Sequence, residues 1–156
     1  MIITIDSFNK DKHSELIDEM LCMRAEVFSG RLGWDVTVDN GREIDCFDSE
    51  DPLYLLSLDE RSGQLRGAVR LLPTTGPNML RDVFSILMPD GPVESPLIWE
   101  SSRFAVNPRI FQAQDRAEAN HTVNRTTVEL LCGMVELGQK AGVEHIVSVF
   151  DARMAR

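Results

Sequence analysis

Leu53-Tyr54-Leu55-Leu56-Ser57-Leu58 and Leu65-Arg66-Gly67-Ala68-Val69-Arg70-Leu71-Leu72 are two aliphatic runs joined by the polar stretch Asp59 to Gln64. Such runs around a glycine-containing turn, here Arg61-Ser62-Gly63-Gln64, predict a β-hairpin. Downstream, Leu97 to Val106 predicts a strand through Trp99, broken by Pro108. Residues 118–141 repeat apolar side chains at helical spacing (Val123, Thr127, Leu130, Leu131, Met134, Leu137) and are followed by Gly142 and a strand from Val143 to Phe150. Upstream, residues 2–6 alternate as a short strand. Leu16, Ile17, Met20, Leu21, Met23, Val27 and Phe28 predict a helix from Ser14 to about Ser29, with Ser14 as N-cap and Gly30 and Gly33 ending the pattern. Residues 35–51 read as a long acidic loop turning at Asn40-Gly41, and Met79 to Leu87 as a short helix carrying Phe84. A hairpin followed by strand, helix and strand predicts an α/β domain, a mixed sheet flanked by helices.

The 156 residues are 43% hydrophobic and 26% charged, which suits one globular domain. No apolar run reaches the ~18 residues of a membrane span, and Met1 to Asp6 has no basic, signal-like start. A cytoplasmic location is the expectation. Cys22, Cys46 and Cys132 are far apart and odd in number, which predicts reduced core thiols rather than a disulfide framework or a metal site. The net charge of −9 is uneven: residues 1–102 carry −10 and residues 103–156 carry +1. The acidic part should repel nucleic acid and tolerate a cationic ligand, and the remainder is where an acidic partner could land.

Four groups of residues stand out chemically. Arg24 and Phe28 are four apart on one helix face, with Trp34 just past the helix end. Together they could wrap an adenine and a sulfonium by stacking and cation–π attraction; the alternative is that the rings cap the core while Arg24 pairs with a carboxylate. Asp45 and Asp48 either converge on one ammonium or form a solvated acidic loop. Arg70 sits at the end of the second hairpin strand, either part of a site or a surface arginine on an edge. In Trp99-Glu100-Ser101-Ser102-Arg103-Phe104, strand alternation sends Glu100, Ser102 and Phe104 to one side and Trp99, Ser101 and Arg103 to the other. Charges of both signs in a central strand are costly to bury without a role. Glu100 is either a general base or half of a structural ion pair.

These groups also carry a resemblance. Arg24 to Phe28 followed by Trp34 is similar to the R-x-x-x-F…W signature of the acyl-homoserine-lactone synthase (autoinducer synthase) family. Asp45-Cys46-Phe47-Asp48 resembles its D-x-x-D, Gly67 to Pro73 its G-x-x-R-L-L-P, and Glu100 to Phe104 its E-x-S-R-F, with Phe84 between, all in family order. The resemblance implies an acetyltransferase-like fold and an enzyme that joins S-adenosylmethionine, as substrate rather than cofactor, to the acyl thioester of acyl carrier protein. It places Arg24, Phe28 and Trp34 over S-adenosylmethionine, with Asp45 and Asp48 near its amino group. Arg70 and Arg103 organise the site, and Glu100 acts as base, with Arg103 and Asp45 as catalytic partners. The amine attacks the thioester, and the carboxylate then displaces methylthioadenosine to close the lactone.

The same resemblance lines an acyl pocket with Phe84, Ser102, Phe104, Ser148 and Phe150. A hydroxyl at Ser148 goes with a 3-oxo chain, or merely satisfies a backbone carbonyl, and Phe150 could shorten the pocket. Because carrier proteins are acidic, docking is expected around Arg109, Arg116, Arg125 and Lys140. The family domain continues past the position of Arg156, so residues 1–156 are expected to form a single synthase domain lacking its C-terminal part. Two alternatives stay open: an acetyl-coenzyme A-dependent N-acetyltransferase, or a truncated, non-catalytic binding module. The former needs a glycine-rich pyrophosphate cradle after the Leu97–Val106 strand, and no glycine occurs between Gly91 and Gly133.

Overall fold

The computed structural model describes residues 1–110 and 115–150. Five strands form one sheet in the order β1-β4-β5-β6-β7: β1 (Ile2–Ile5), β4 (Leu53–Leu58), β5 (Leu65–Pro73), β6 (Ile98–Val106) and β7 (His145–Ser148). Neighbours are antiparallel except β6 and β7, which run parallel. A parallel pair needs a crossover, and helix α3 (Arg116–Ala141) supplies it. A small ribbon, β2 (Val38–Asp39) with β3 (Arg42–Glu43), stands apart from the sheet. Helices α1 (Ser14–Arg24) and α2 (Met79–Asp82) complete the set.

Alternation along the hairpin builds a core on each face of the sheet. Leu56, Leu58, Leu65 and Ala68 pack with Met20, Met23 and Phe28 of the first helical segment. Leu55, Val69 and Leu71 pack with Leu130 and Met134 of α3. The helix lies close to the strands at Gly67, where a Cβ would sit 2.8 Å from both the Ala105 carbonyl oxygen and Thr126 Cγ2. Gly67→Ala is therefore expected to cost about 1–3 kcal/mol by overpacking, read as a lower urea midpoint. An unchanged midpoint would mean that α3 yields without cost.

Several elements differ from expectation. Ser14 is not the N-cap: a 3-10 turn, Lys10–His13, runs straight into α1, so Ser14 has helical dihedrals (φ −56°, ψ −39°), whereas a cap residue needs non-helical ones. The first helix does not stop before Gly30 but continues as a π-helical stretch, Ala25–Arg31. The acidic loop contains the β2–β3 ribbon because Asn40 (φ 48°) and Gly41 (φ 81°) both adopt the left-handed region that a tight hairpin turn requires. The Met79–Leu87 helix breaks in two where Val83 and Phe84 leave regular helical geometry. The last strand is shorter than expected, since only His145–Ser148 pairs with β6. Cys46 and Cys132 are exposed, so only Cys22, half-buried, approaches the expected core thiol.

The departure with most consequence lies in β6. Ala68 pairs with Ala105 and Arg70 with Ser102, so two steps on β5 oppose three on β6. This bulge centres on Arg103, whose φ of 53° is left-handed and costs a non-glycine residue about 1–2 kcal/mol. It corrects the simple alternation. Arg103 turns to the same side as Glu100 and Ser102, while Phe104 packs with Trp99 against the α3-side core.

Candidate active site

The local sequence first fixes two carboxylates. Asp45 caps the 3-10 turn Cys46–Ser49: its side chain accepts the Phe47 N–H at 3.0 Å, and the Asp48 side chain accepts the Asp45 N–H at 2.9 Å. This reciprocal capping box is the local reason for two aspartates three residues apart. Three arginines converge on them, from the last turn of α1 (Arg24), from β5 (Arg70) and from the β6 bulge (Arg103). Glu43, at the end of β3, is the third carboxylate.

The bonding is extensive. Arg24 grips Asp48 with both terminal nitrogens (2.8 and 2.9 Å) and donates its Nε to Glu43 at 2.6 Å. Arg70 holds Asp45 at 2.5 and 3.0 Å, reaches Asp48 at 2.9 Å, and donates its Nε to Ser102 Oγ at 3.1 Å. Arg103 binds Glu43 at 2.9–3.2 Å and Asp45 at 2.8 Å. The Tyr54 hydroxyl donates to Asp48 at 2.7 Å. Burial alone would raise the Asp48 carboxyl, but Arg24 and Arg70 hold it well below the usual carboxylate range. Burial and the Asp48 charge push the Tyr54 phenol far above its ordinary value, so it remains a donor.

Three buried cations thus meet three carboxylates. Both oxygens of Asp45 and of Asp48 accept bonds from within the protein, so neither aspartate offers the cavity a free oxygen. Arg24 is 1% exposed and pairs with Glu43 and Asp48, the carboxylate pairing that its sequence also allowed.

Beside this network lies a cavity of about 690 Å³. On its wall Phe28 stacks on Trp34 (centroids 5.2 Å apart, rings 18° from parallel), with the Arg103 guanidinium 5.4 Å from the Phe28 centroid. Met79 Sδ accepts from Arg103 Nη1 at 3.2 Å. Glu100, Ser102 and Phe84 line the same cavity. Beyond Ser101, β7 no longer pairs with β6, and the cavity follows that splayed edge past Phe104 and Thr127 to Ser148 and Phe150. Glu100 is 1% exposed; its Oε2 accepts the Leu80 N–H at 2.5 Å, and its Oε1 has no partner among the described residues. The ion-pair alternative for Glu100 finds no support, because Arg103 is bonded to Glu43 instead. The Ser148 hydroxyl donates to the Ser101 carbonyl at 3.0 Å, so a 3-oxo group would have to displace that bond.

The four proposed docking cations do not form one patch. Arg116 and Lys140 lie near opposite ends of α3, about 36 Å apart at 1.5 Å per residue. Arg125 is paired with Glu129 along the helix, and Arg109 with Glu26. Among the described residues no helix is long and apolar enough to cross a membrane.

The sequence profile of the autoinducer synthase family matches residues 7–156. The chain belongs to that family. An acyl-homoserine-lactone synthase of Rhizobium etli is 41% identical, over 98% of this chain and 68% of its own length. The solved acyl-homoserine-lactone synthase LasI superposes with a TM-score of 0.80 at 31% identity, over 99% of this chain and 74% of its own. BjaI, a coenzyme A-dependent acyl-homoserine lactone synthase solved with SAM and isopentyl-CoA, gives 0.81 at 28% identity, over 98% and 67%. The chain is therefore an enzyme of the autoinducer synthase type, with the acetyltransferase-like mixed sheet that its motifs implied.

Sequence reasoning missed Glu43, Tyr54 and Met79. Glu43 had a signal: three arginines destined for a buried site require a third carboxylate besides Asp45 and Asp48, and Glu43 is the nearest one upstream. Tyr54 and Met79 had none, since their partners come from other elements.

Proposed function

We propose that this protein makes an N-acyl-homoserine lactone from S-adenosylmethionine and an acyl thioester, with acyl carrier protein as the acyl donor, and releases methylthioadenosine. Residues 1–156 belong to a single synthase domain and match 68% of the length of the Rhizobium etli relative. The observation that carries this reading is the Glu100 carboxylate: buried, with one oxygen unpartnered, on a cavity that Phe28, Trp34, Phe104 and Phe150 also line. Such an oxygen can receive a proton from an attacking amine.

In this reading Phe28 and Trp34 hold the adenosyl end and the arm towards Phe150 holds the acyl chain. Asp45 and Asp48 act indirectly, by holding Arg70 and Arg103 in place, and the substrate amine, which attacks in its neutral form after losing a proton to solvent, meets Glu100 instead. Glu100 removes the amine proton, the nitrogen joins the thioester carbon, and the thiol departs. The substrate carboxylate then displaces methylthioadenosine at the γ-carbon.

The donor is the finer point, because BjaI uses coenzyme A. The lack of glycine between Gly91 and Gly133 removes the flexible cradle that a pyrophosphate favours, which supports a carrier-protein donor. Methylthioadenosine release should be measured with matched acyl chains on acyl carrier protein and on coenzyme A. The expected outcome is a higher kcat/KM with the carrier protein. The opposite ranking would overturn the donor assignment, and no release with either would overturn the synthase reading.

A further inference from the structure

We infer that Ser102 is the hydroxyl donor that stabilises the negative charge developing on the thioester oxygen during acyl transfer. The inference rests on the synthase reading above and deepens it. Arginine side chains are donors only, so the 3.1 Å contact between Arg70 Nε and Ser102 Oγ has one polarity: Arg70 donates and Ser102 accepts. The Ser102 proton must then point elsewhere. Among the described residues it has no acceptor, and every oxygen of the Asp45 and Asp48 carboxylates already accepts bonds from arginines, backbone N–H groups or the Tyr54 hydroxyl. Ser102 nevertheless lines the cavity. A buried hydroxyl locked as acceptor on its protein side is left as a donor on its open side.

Its place along β6 suits that task. Glu100 and Ser102 lie two residues apart on one side of the strand, opposite Leu72 and Arg70 respectively, which separates them by about 7 Å at the usual strand rise. A thioester carbonyl held between them presents its carbon to an amine beside Glu100 and its oxygen to Ser102. As nitrogen bonds to the carbonyl carbon, the carbonyl π pair moves onto oxygen and is met by the Ser102 O–H. The nitrogen gives its proton to Glu100 Oε1. The oxygen pair then returns, the C–S bond breaks, and the departing thiolate takes the proton from Glu100. Amine and thioester become amide and thiol, with no other reactant consumed. Arg70 and the carboxylates behind it are positioning residues, because they fix which way the hydroxyl faces.

The test compares Ser102→Ala and Ser102→Thr with wild type on the thioester that the wild-type protein uses best. It measures kcat for amide formation, KM for the thioester, and S-adenosylmethionine affinity by equilibrium dialysis. Loss of one oxyanion donor is expected to lower kcat about 100-fold in Ser102→Ala, with both affinities within about twofold. Ser102→Thr, which keeps the hydroxyl, should recover much of the rate. A kcat for Ser102→Ala within about threefold of wild type overturns the inference. So does a loss confined to S-adenosylmethionine affinity, which would make Ser102 only an anchor for Arg70. Failure of the synthase reading looks different: wild type itself forms no acyl-homoserine lactone from any thioester, and the role of Ser102 falls with it.

Discussion

Glu100→Gln is expected to reduce N-acyl-homoserine lactone formation by about 10²–10⁴-fold, the usual contribution of a general base, while leaving the fold intact. The substitution is nearly isosteric. The amide oxygen can still accept the Leu80 N–H that Glu100 Oε2 accepts now at 2.5 Å. The amide nitrogen would then occupy the place of Oε1, the oxygen without a partner, and a carboxamide cannot take up a proton from an amine. Thermal melting should therefore change little while turnover collapses. Turnover within about threefold of wild type would remove Glu100 from the mechanism.

Glu43→Gln is expected to be the most destabilising conservative change in the site. Glu43 is fully buried and answers both Arg24 (2.6 Å) and Arg103 (2.9 Å). Neutralising it leaves three buried guanidiniums facing two carboxylates, and removing one partner of a buried pair typically costs about 3–5 kcal/mol. For a chain of this length that lowers Tm on the order of 10 °C. A Tm within about 1 °C of wild type would show that water already compensates these charges.

The same network predicts acid sensitivity. The folded-state pKa of Asp48 is depressed by Arg24 and Arg70, although burial opposes them. Its contribution is therefore complete above the unfolded carboxylate value of about 4 and is lost as pH falls below it. Urea unfolding of wild type should weaken over that acid range, and Asp48→Asn, already destabilised, should show a flatter dependence.

Much of the fold was legible because it is local. The hairpin of β4 and β5 follows from two aliphatic runs and a glycine turn, and α3 from its apolar spacing closed by Gly142. The motifs of Arg24, Asp45, Asp48, Arg70, Glu100 and Arg103 were legible as a set. Their geometry was partly legible: the spacing of Asp45 and Asp48 reflects a capping box, a local device, yet their role as arginine ligands rather than free carboxylates depends on three other elements. The docking cations were grouped by sequence and charge, but a long helix disperses residues that a count of charges puts together.

The order and type of the major elements, the family and the identities of the charged residues follow from the chain read residue by residue, because period, turn chemistry and motif are properties of neighbouring positions. Which charges meet depends on contacts between distant segments. The bulge at Arg103 depends on the register between β5 and β6, a long-range pairing, and it swings Arg103 onto the Glu100 side while sending Phe104 to the α3 side. Glu43 joins the site because the Asn40-Gly41 turn folds β3 back towards Arg24 and Arg103. Burial then makes the grouping obligatory, since a guanidinium removed from water is stable only beside a carboxylate that reaches it.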